Sequence, residues 1–286
     1  MFRDNSVWRT QGATSLFVLL WSSGAIFARL GLDHASAFAF LVLRFAIAFG
    51  VLSILALARR RAWWPAPGTR ARIAAAGALL LGAYSICYFL ALDHGVAPGV
   101  LASVLGAQPL VTLVITERRF SAVRAAGLGL ALCGLVLVVY QSVVVAQLSV
   151  LGIGFALGAL AGATAGAILQ KQVTQPPEVV LPLQYGVALA LCLVCAAFQP
   201  LRFEPTLEAA IALLWLALVI SVAAQLLLYR LIRAGNLVNV TSLLYLVPIT
   251  TAILDRLVLG NPVSPVNLAG MAAILAGLAM AFRRRR

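Results

Sequence analysis

Apolar residues run in long blocks separated by short polar breaks, and the blocks define the elements. Each block holds roughly 18 or more residues, enough for an α-helix to cross a hydrocarbon core of about 30 Å. Reading block by block predicts helices near residues 13–30, 36–58, 71–92, 97–116 and 123–140, then near 150–170, 180–198, 208–230, 237–256 and 265–282. The breaks carry turn and terminus residues: Pro65, Pro67, Gly68, Pro98, Pro176, Pro177, Pro200, Pro205, Asn261 and Pro262. The pattern predicts an all-α membrane protein of ten transmembrane helices. The first block, Ala13 to Leu30, is longer than the apolar region of a signal peptide and is followed at once by another, so it reads as a retained helix.

Composition sharpens this picture. Of 286 residues, 63% are hydrophobic and 10% charged, with a mean hydropathy of +1.04. A soluble domain has far more charge because its surface must face water. Almost no sequence is left for one, nor for a nucleotide-binding loop to hydrolyse ATP. The net charge of +13 does not point to nucleic acid, because the basic residues occupy short loops between spans. With a cytoplasmic N-terminus, the inner segments hold Arg3, Arg9, Arg59, Arg60, Arg61, Arg70, Arg72, Arg118, Arg119, Arg124, Lys171, Arg230, Arg233 and Arg283 to Arg286, 17 of the 21 basic residues. Arg202 stands alone in the outer loops, with Arg29 and Arg256 at helix ends. Both termini are therefore expected in the cytoplasm. Trp63 and Trp64 suit an interfacial belt, and the arginine- and alanine-rich composition suggests a bacterial inner membrane. Cys87, Cys133, Cys192 and Cys195 all fall in apolar spans and read as packing residues.

The two halves repeat. Gly24-Ala25-Ile26 matches Gly166-Ala167-Ile168, with Arg29 opposite Lys171. Ser103 and Ser242 each precede a proline, Pro109 and Pro248, by six residues. Gly127 and Gly134 answer Gly270 and Gly277 at the same seven-residue spacing. The order and the nearly constant offset divide the chain into five-helix repeats at 1–142 and 148–286. Five is odd, so the second copy is expected to cross the membrane in the opposite sense. Inverted repeats are a transporter design, giving alternating access to a midplane site.

The segments "LLWSSGAIFARLGL", "LRFAIA" and the Ser-to-Pro helix ending in Glu117 with "GLGLALCGLVLV" beyond it resemble the drug/metabolite transporter superfamily. Within it the chain is most similar to the EamA-type ten-helix permeases, and among those to the YddG-type exporters of aromatic and neutral amino acids. The resemblance implies ten helices, cytoplasmic termini, a central cavity between the halves and export as the direction. The second half departs from the family pattern, with Asp255-Arg256 where a glutamate-initiated loop is usual.

Polar groups within a bilayer are costly and mark pathways or helix contacts. Tyr84 and Tyr88 share one face of the third helix, Gln225 and Tyr229 one face of the eighth, and the repeat sets Tyr84 against Gln225. These faces are candidate cavity walls; Tyr229 also fits an interfacial anchor. Around Pro109 and Pro248 stand Ser103, Gln108, Thr112, Thr241, Ser242 and Tyr245, where a proline bends the helix and frees carbonyls, or where the hydroxyls simply back-bond. Trp21, Ser22 and Ser23 lie mid-membrane beside Gly24 and suit a wall for aromatic or apolar groups, while Trp215 in the eighth helix faces either the protein or lipid. Gly24, Gly166, Pro109 and Pro248 are candidate kink and gating positions. Arg44, deepest of the cations, either holds a substrate carboxylate or serves a structural partner.

The eight acidic residues all read as lying towards the two faces of the membrane, which disfavours carriers of lipophilic cations. Asp33-His34 and Asp93-His94 read as solvated loop residues rather than a metal site or proton relay. No catalytic cluster, metal or cofactor is expected. The expected partners are the bilayer and a small neutral solute, foremost an aromatic or neutral amino acid, with a monomer sufficient for the mechanism. A drug or nucleotide-derivative permease of the same fold is the alternative; an intramembrane enzyme or a channel is remoter.

Overall fold

A computed structural model of the chain describes residues 4–58, 64–117, 120–140, 149–199, 201–250 and 264–282. Arg3, Arg59 to Arg61, Trp63, Arg118, Arg119, Pro200, the Asp255-Arg256 pair, Asn261, Pro262 and Arg283 to Arg286 lie outside the described residues.

The described chain is helical, with no strand beyond one isolated bridge between Ala35 and Phe203. Its apolar segments are α1 (Asp4–His34), α2 (Ala37–Ala58), α3 (Arg70–Asp93), α4 (Pro98–Thr116), α5 (Ala122–Val138), α6 (Val150–Lys171), α7 (Pro177–Ala196), α8 (Leu207–Ala234), α9 (Leu237–Thr250) and α10 (Pro265–Phe282). Eight of these are long and apolar enough to span a membrane; α5 and α9 are shorter. The segments follow the predicted order, with differences at the ends. α7 begins three residues early because Pro176 and Pro177 take its N-terminal positions, where a missing N–H costs nothing. Ser149, Thr206 and Asn236 cap α6, α8 and α9 by accepting from Gly152, Ala209 and Asn239 N–H.

Four helices depart from regular α geometry. α4 breaks into Pro98–Leu105 and Gln108–Thr116. Pro109 cannot donate to the Leu105 carbonyl, so the expected bend is a full interruption, with Pro109 in the first turn of the second piece. α9 tightens into a 3₁₀ turn at Leu243–Tyr245 just before Pro248. π-helical turns interrupt α3 at Ala78–Ala83 and α8 at Trp215–Ala224, which the apolar periodicity does not foretell.

The chain forms two compact units, and each draws helices from both sequence halves. One comprises Met1–Ser23, Ala97–Gln147 and Gly235–Arg286; the other Gly24–Val96 and Leu148–Ala234. In the first, α5 and α10 pack antiparallel, Gly127 against Gly277 and Gly134 against Gly270. A Cβ on Gly134 would sit 2.6 Å from the Gly270 carbonyl oxygen, and one on Gly270 would sit 2.7 Å from that of Gly134. Lipid offers helices no hydrophobic drive to associate, so such close backbone approach supplies the packing. Leu113, Leu128, Leu135, Ile274 and Leu278 fill the surrounding core.

In the second unit α6 lies antiparallel to α3 along Gly158, Gly162 and Gly166, which meet Cys87, Tyr84 and Leu80. α2 runs antiparallel to α7, with Phe38 clustered beside Ala196, and Phe45 edge-on to Tyr185 at 5.6 Å. The end of α1 lies against α8 through Phe27 stacked on Trp215 at 5.0 Å, which gives Trp215 a protein neighbour. Loops join in pairs: Glu204 N–H donates to the His34 carbonyl at 2.8 Å and Ser36 N–H to the Arg202 carbonyl at 2.9 Å. Gln175 likewise donates to Thr69 Oγ1 at 2.7 Å, and Lys171 Nζ to the Ile232 carbonyl at 2.7 Å.

The Arg202 guanidinium, hydrogen-bonded to Glu204, holds that carboxyl below the usual carboxylate range. A depressed folded value gives stability that is present above the unfolded value of about 4.3 and lost as pH falls through the folded one. Glu204→Gln should therefore flatten the acid limb of a melting-temperature profile measured from pH 7 to 3. The change should be small, because the pair is exposed. An unchanged acid limb would place the acid sensitivity elsewhere.

Candidate functional site

The densest polar cluster within the apolar segments lies in the second unit. Arg44, seven residues into the 22-residue α2, is at membrane depth. Its Nε–H donates to Ser221 Oγ at 2.8 Å, and Tyr185 Oη–H donates to the Ser221 carbonyl at 2.6 Å. Ser221 is fully buried in the π-helical turn of α8, so both of its polar ends are held from α2 and α7. The Arg44 guanidinium lies 5.6 Å from the Phe45 ring centroid. Among the described residues Arg44 forms no ion pair with a carboxylate. Tyr84 and Tyr88 are half-buried, their rings 5.8 Å apart, and their hydroxyls have no hydrogen-bond partner among the described residues.

The repeat relation reappears here. Tyr84 is the first residue after the π-helical turn of α3, and Gln225 the first after that of α8. Gln225 is buried, and the Tyr229 hydroxyl lies beside it without reaching hydrogen-bond geometry. Tyr229 is itself buried, which removes the interfacial-anchor reading. Tyr185 also stands 141 residues beyond Arg44 (185 − 44), the separation of Gln225 from Tyr84 (225 − 84).

In the first unit the hydroxyl candidates are largely consumed by their own helices. Ser22 donates to Val18 at 2.6 Å, Ser103 to Gly99 at 2.9 Å and Ser242 to Val238 at 2.6 Å. Ser22 also lies 3.4 Å from the Val247 carbonyl, and Tyr245 reaches the Leu128 carbonyl at 3.4 Å. Trp21 packs on Phe17 at 5.2 Å. Polar capacity is left on one face of α4: Gln108 is buried with no partner for its amide among the described residues, and the Thr112 hydroxyl is buried and unpartnered. Of the two glycines expected to kink or gate, Gly166 is a contact point, since a Cβ would meet Leu80 N at 2.5 Å. Gly24 has room, with Ile220 at 3.8 Å.

Ser221, Tyr185 and a buried amide pair escaped the sequence reading. Gln184 Nε2 donates to Gln170 Oε1 at 2.8 Å and to the Ile73 carbonyl at 3.2 Å, fixing α7 to α6 and α3. Their signal is the adjacent polar pair Gln184-Tyr185 inside an apolar run. Gly158, Gly162 and Gly166, four residues apart, likewise announced a helix-packing stripe. Among the described residues no three His, Cys, Asp or Glu side chains gather as metal ligands. His34 lies 3.8 Å from Glu204, and His94 Nδ1 lies 2.8 Å from the Leu90 carbonyl.

A family model, the EamA-like transporter family, matches residues 12–140 and again 150–283. No curated protein matches the chain. Among solved structures, one described only as "Crystal structure of protein" superposes with a TM-score of 0.78 at 20% identity, covering 96% of each chain. That likeness establishes a shared fold.

Proposed function

We propose, from the premise that this chain belongs to the EamA-like transporter family, that it is an amino-acid exporter of the bacterial inner membrane. As a multi-pass member of that family it moves small molecules across a bilayer. In the proposed arrangement α1 to α10 all cross the membrane, both termini are cytoplasmic, and residues 1–142 and 148–286 are inverted repeats that give alternating access. Reciprocal glycine contacts support the inversion. Gly127 meets the counterpart of Gly134, and Gly134 meets the counterpart of Gly127, as a local twofold axis requires.

The cargo is a neutral or zwitterionic solute, most of all an aromatic or other neutral amino acid. The observation that carries this is Arg44 joined to Tyr185 through Ser221 within the apolar segments, in the unit that also holds Tyr84 and Tyr88, with no carboxylate paired to Arg44 among the described residues to attract a lipophilic cation. Tyr84, Tyr88 and Gln225 are its proposed binding residues in the second unit. In the first unit, taken by itself, Gln108, Trp21, Ser22, Ser103, Ser242 and Tyr245 are proposed substrate-contacting residues.

Proteoliposomes holding the purified chain should take up radiolabelled phenylalanine, threonine or methionine in a saturable way; no flux of any amino acid would sink this reading in favour of a drug or nucleotide-derivative permease. Tyr84→Ala and Gln225→Ala should each lower flux about tenfold, the worth of one good hydrogen bond, with unchanged folded yield. Parental flux in both would remove these residues from the site.

A further inference from the structure

The environment of Arg44 carries more than a neutral-solute site. A guanidinium has five N–H donors in a planar fork. In Arg44 the Nε–H is committed to Ser221 Oγ at 2.8 Å, and the four N–H groups on the two terminal nitrogens have no hydrogen-bond partner or carboxylate among the described residues. A cation kept at membrane depth for structure alone would have those donors paired, because an unmatched charge there is expensive. The side chain is half-buried, so it is not wholly enclosed by the protein. Lipid cannot satisfy the remaining donors, so they require a polar partner.

The anchoring bond matters for what the fork can do. Ser221 is itself clamped, through its carbonyl, by the buried Tyr185 hydroxyl, and the Phe45 ring lies against the guanidinium. With Nε held and one flank covered by an aromatic ring, the plane of the fork is set before any ligand arrives. A fixed pair of terminal N–H groups matches the two oxygens of a carboxylate. Tyr84 and Tyr88, whose rings lie 5.8 Å apart in the same unit, keep hydroxyls with no partner among the described residues.

We propose that Arg44 is the carboxylate-binding residue of this chain, so that its ligands are monocarboxylates with an apolar or aromatic side chain. The inference deepens the amino-acid reading and rests on it. Amides, esters and amines of the same skeleton are rejected, because they cannot neutralise the fork.

The test is a ratio on the unaltered, full-length chain in detergent or liposomes. Acid and amide are compared pairwise: phenylalanine with phenylalaninamide, threonine with threoninamide, and phenylpyruvate with its amide. The acid should bind at least about tenfold more tightly in each pair that binds, as expected for charge-assisted hydrogen bonds. Arg44→Gln should collapse the ratio towards one, and Arg44→Lys should keep part of it as a point charge without the fork. Equal binding of acid and amide, or binding of none of the acids, overturns the inference. A ratio seen for phenylpyruvate but for neither amino acid upholds the carboxylate site and overturns the amino-acid reading, so the two failures are distinct. Because the ratio needs no variant, it decides the question even where Arg44→Gln fails to fold.

Discussion

Replacing Gly166 by leucine is expected to eliminate folded protein, whereas Gly24→Ala at the matching position of the first half should be nearly neutral. The repeat makes the two glycines equivalent, but their surroundings differ. A Cβ on Gly166 would lie 2.5 Å from Leu80 N, 2.6 Å from its Cβ and 2.7 Å from its Cα. Two of those atoms are backbone, so relief requires α6 and α3 to move apart rather than a rotamer to change. Overpacking in a dense core costs about 1–3 kcal/mol even where side chains can adjust, and a branched side chain against backbone exceeds that. Against a total stability of roughly 5–15 kcal/mol, most of the margin disappears. Gly162, one turn away, meets Tyr84 N at 3.0 Å, so the same interface cannot absorb the shift. On Gly24 the added methyl would meet Ile220 alone, Cδ1 at 3.8 Å and Cγ1 at 3.9 Å, ordinary contacts.

The interface also carries the site. Leu80 lies in the π-helical turn that ends where Tyr84 begins, so a smaller insult, Gly166→Ala, should displace Tyr84 and Tyr88 and depress transport by more than its loss of melting temperature suggests. Size-exclusion profiles and thermal unfolding in detergent check the first claim, with flux per folded molecule for the second. A Gly166→Leu protein that elutes and melts like the parent would show that α6 and α3 are not in contact.

Legibility followed from how locally each feature is determined. Helix ends are legible where proline and cap residues act within one turn: Pro265 opens α10 where the pattern places it, while Pro177 opens α7 three residues before the apolar run alone suggests. The break in α4 was half readable. Pro109 announces a lost hydrogen bond, but a lost bond alone does not say whether the chain bends or interrupts; the break falls at Gly106, where no side chain could fit against Leu135 of α5. The π-helical turns were not readable at all, since side-chain period is set there by neighbours and not by residue type. Amides and phenols in apolar spans are conspicuous, as Tyr84, Tyr88, Gln108 and Gln225 are, but residue type alone does not say which of them carry contacts between helices, and Gln170, Gln184 and Tyr185 do so no less. Hydroxyls did not discriminate, because serine and threonine in a helix default to the carbonyl four residues back, as Ser103 and Ser242 do. Ser221 is the exception, and only the partner on α2 reveals it. Family membership spans both halves of the chain, while the contacts assemble helices across those halves, a recombination that sequence order does not encode.

Arg124→Ala is expected to be the most damaging charge removal in the first unit, by about 2 kcal/mol, a figure discounted for partial exposure. Glu117 caps the C-terminal end of α4, where the helix dipole disfavours an anion, and Arg124 sits in the first turn of α5, where it disfavours a cation. Each is tolerated because of the other: Arg124 Nη1 donates to Glu117 Oε1 at 2.7 Å and to Oε2 at 2.6 Å. The second terminal nitrogen donates to Asn236 Oδ1 at 3.0 Å and Asn239 Oδ1 at 2.8 Å, and Asn236 returns a bond to Glu117 at 3.0 Å. Asn236 is also the N-cap of α9, so one guanidinium ties the end of α4, the start of α5 and the start of α9. Both charged side chains are 20% exposed, so water offers only partial compensation when one is removed. Alanine at 124 leaves the carboxylate facing the α4 dipole with one amide donor. Glu117→Gln leaves the cation its asparagine acceptors, and should cost less. The Glu117→Gln/Arg124→Ala double variant should then be more stable than the sum of its single losses predicts, by about 1–2 kcal/mol of coupling. Thermal unfolding of the four proteins in detergent measures this directly, and raising the salt concentration should weaken the coupling only modestly at this burial. Additive losses would mean that the two charges do not act on one another, and that α4 and α9 are anchored by other contacts.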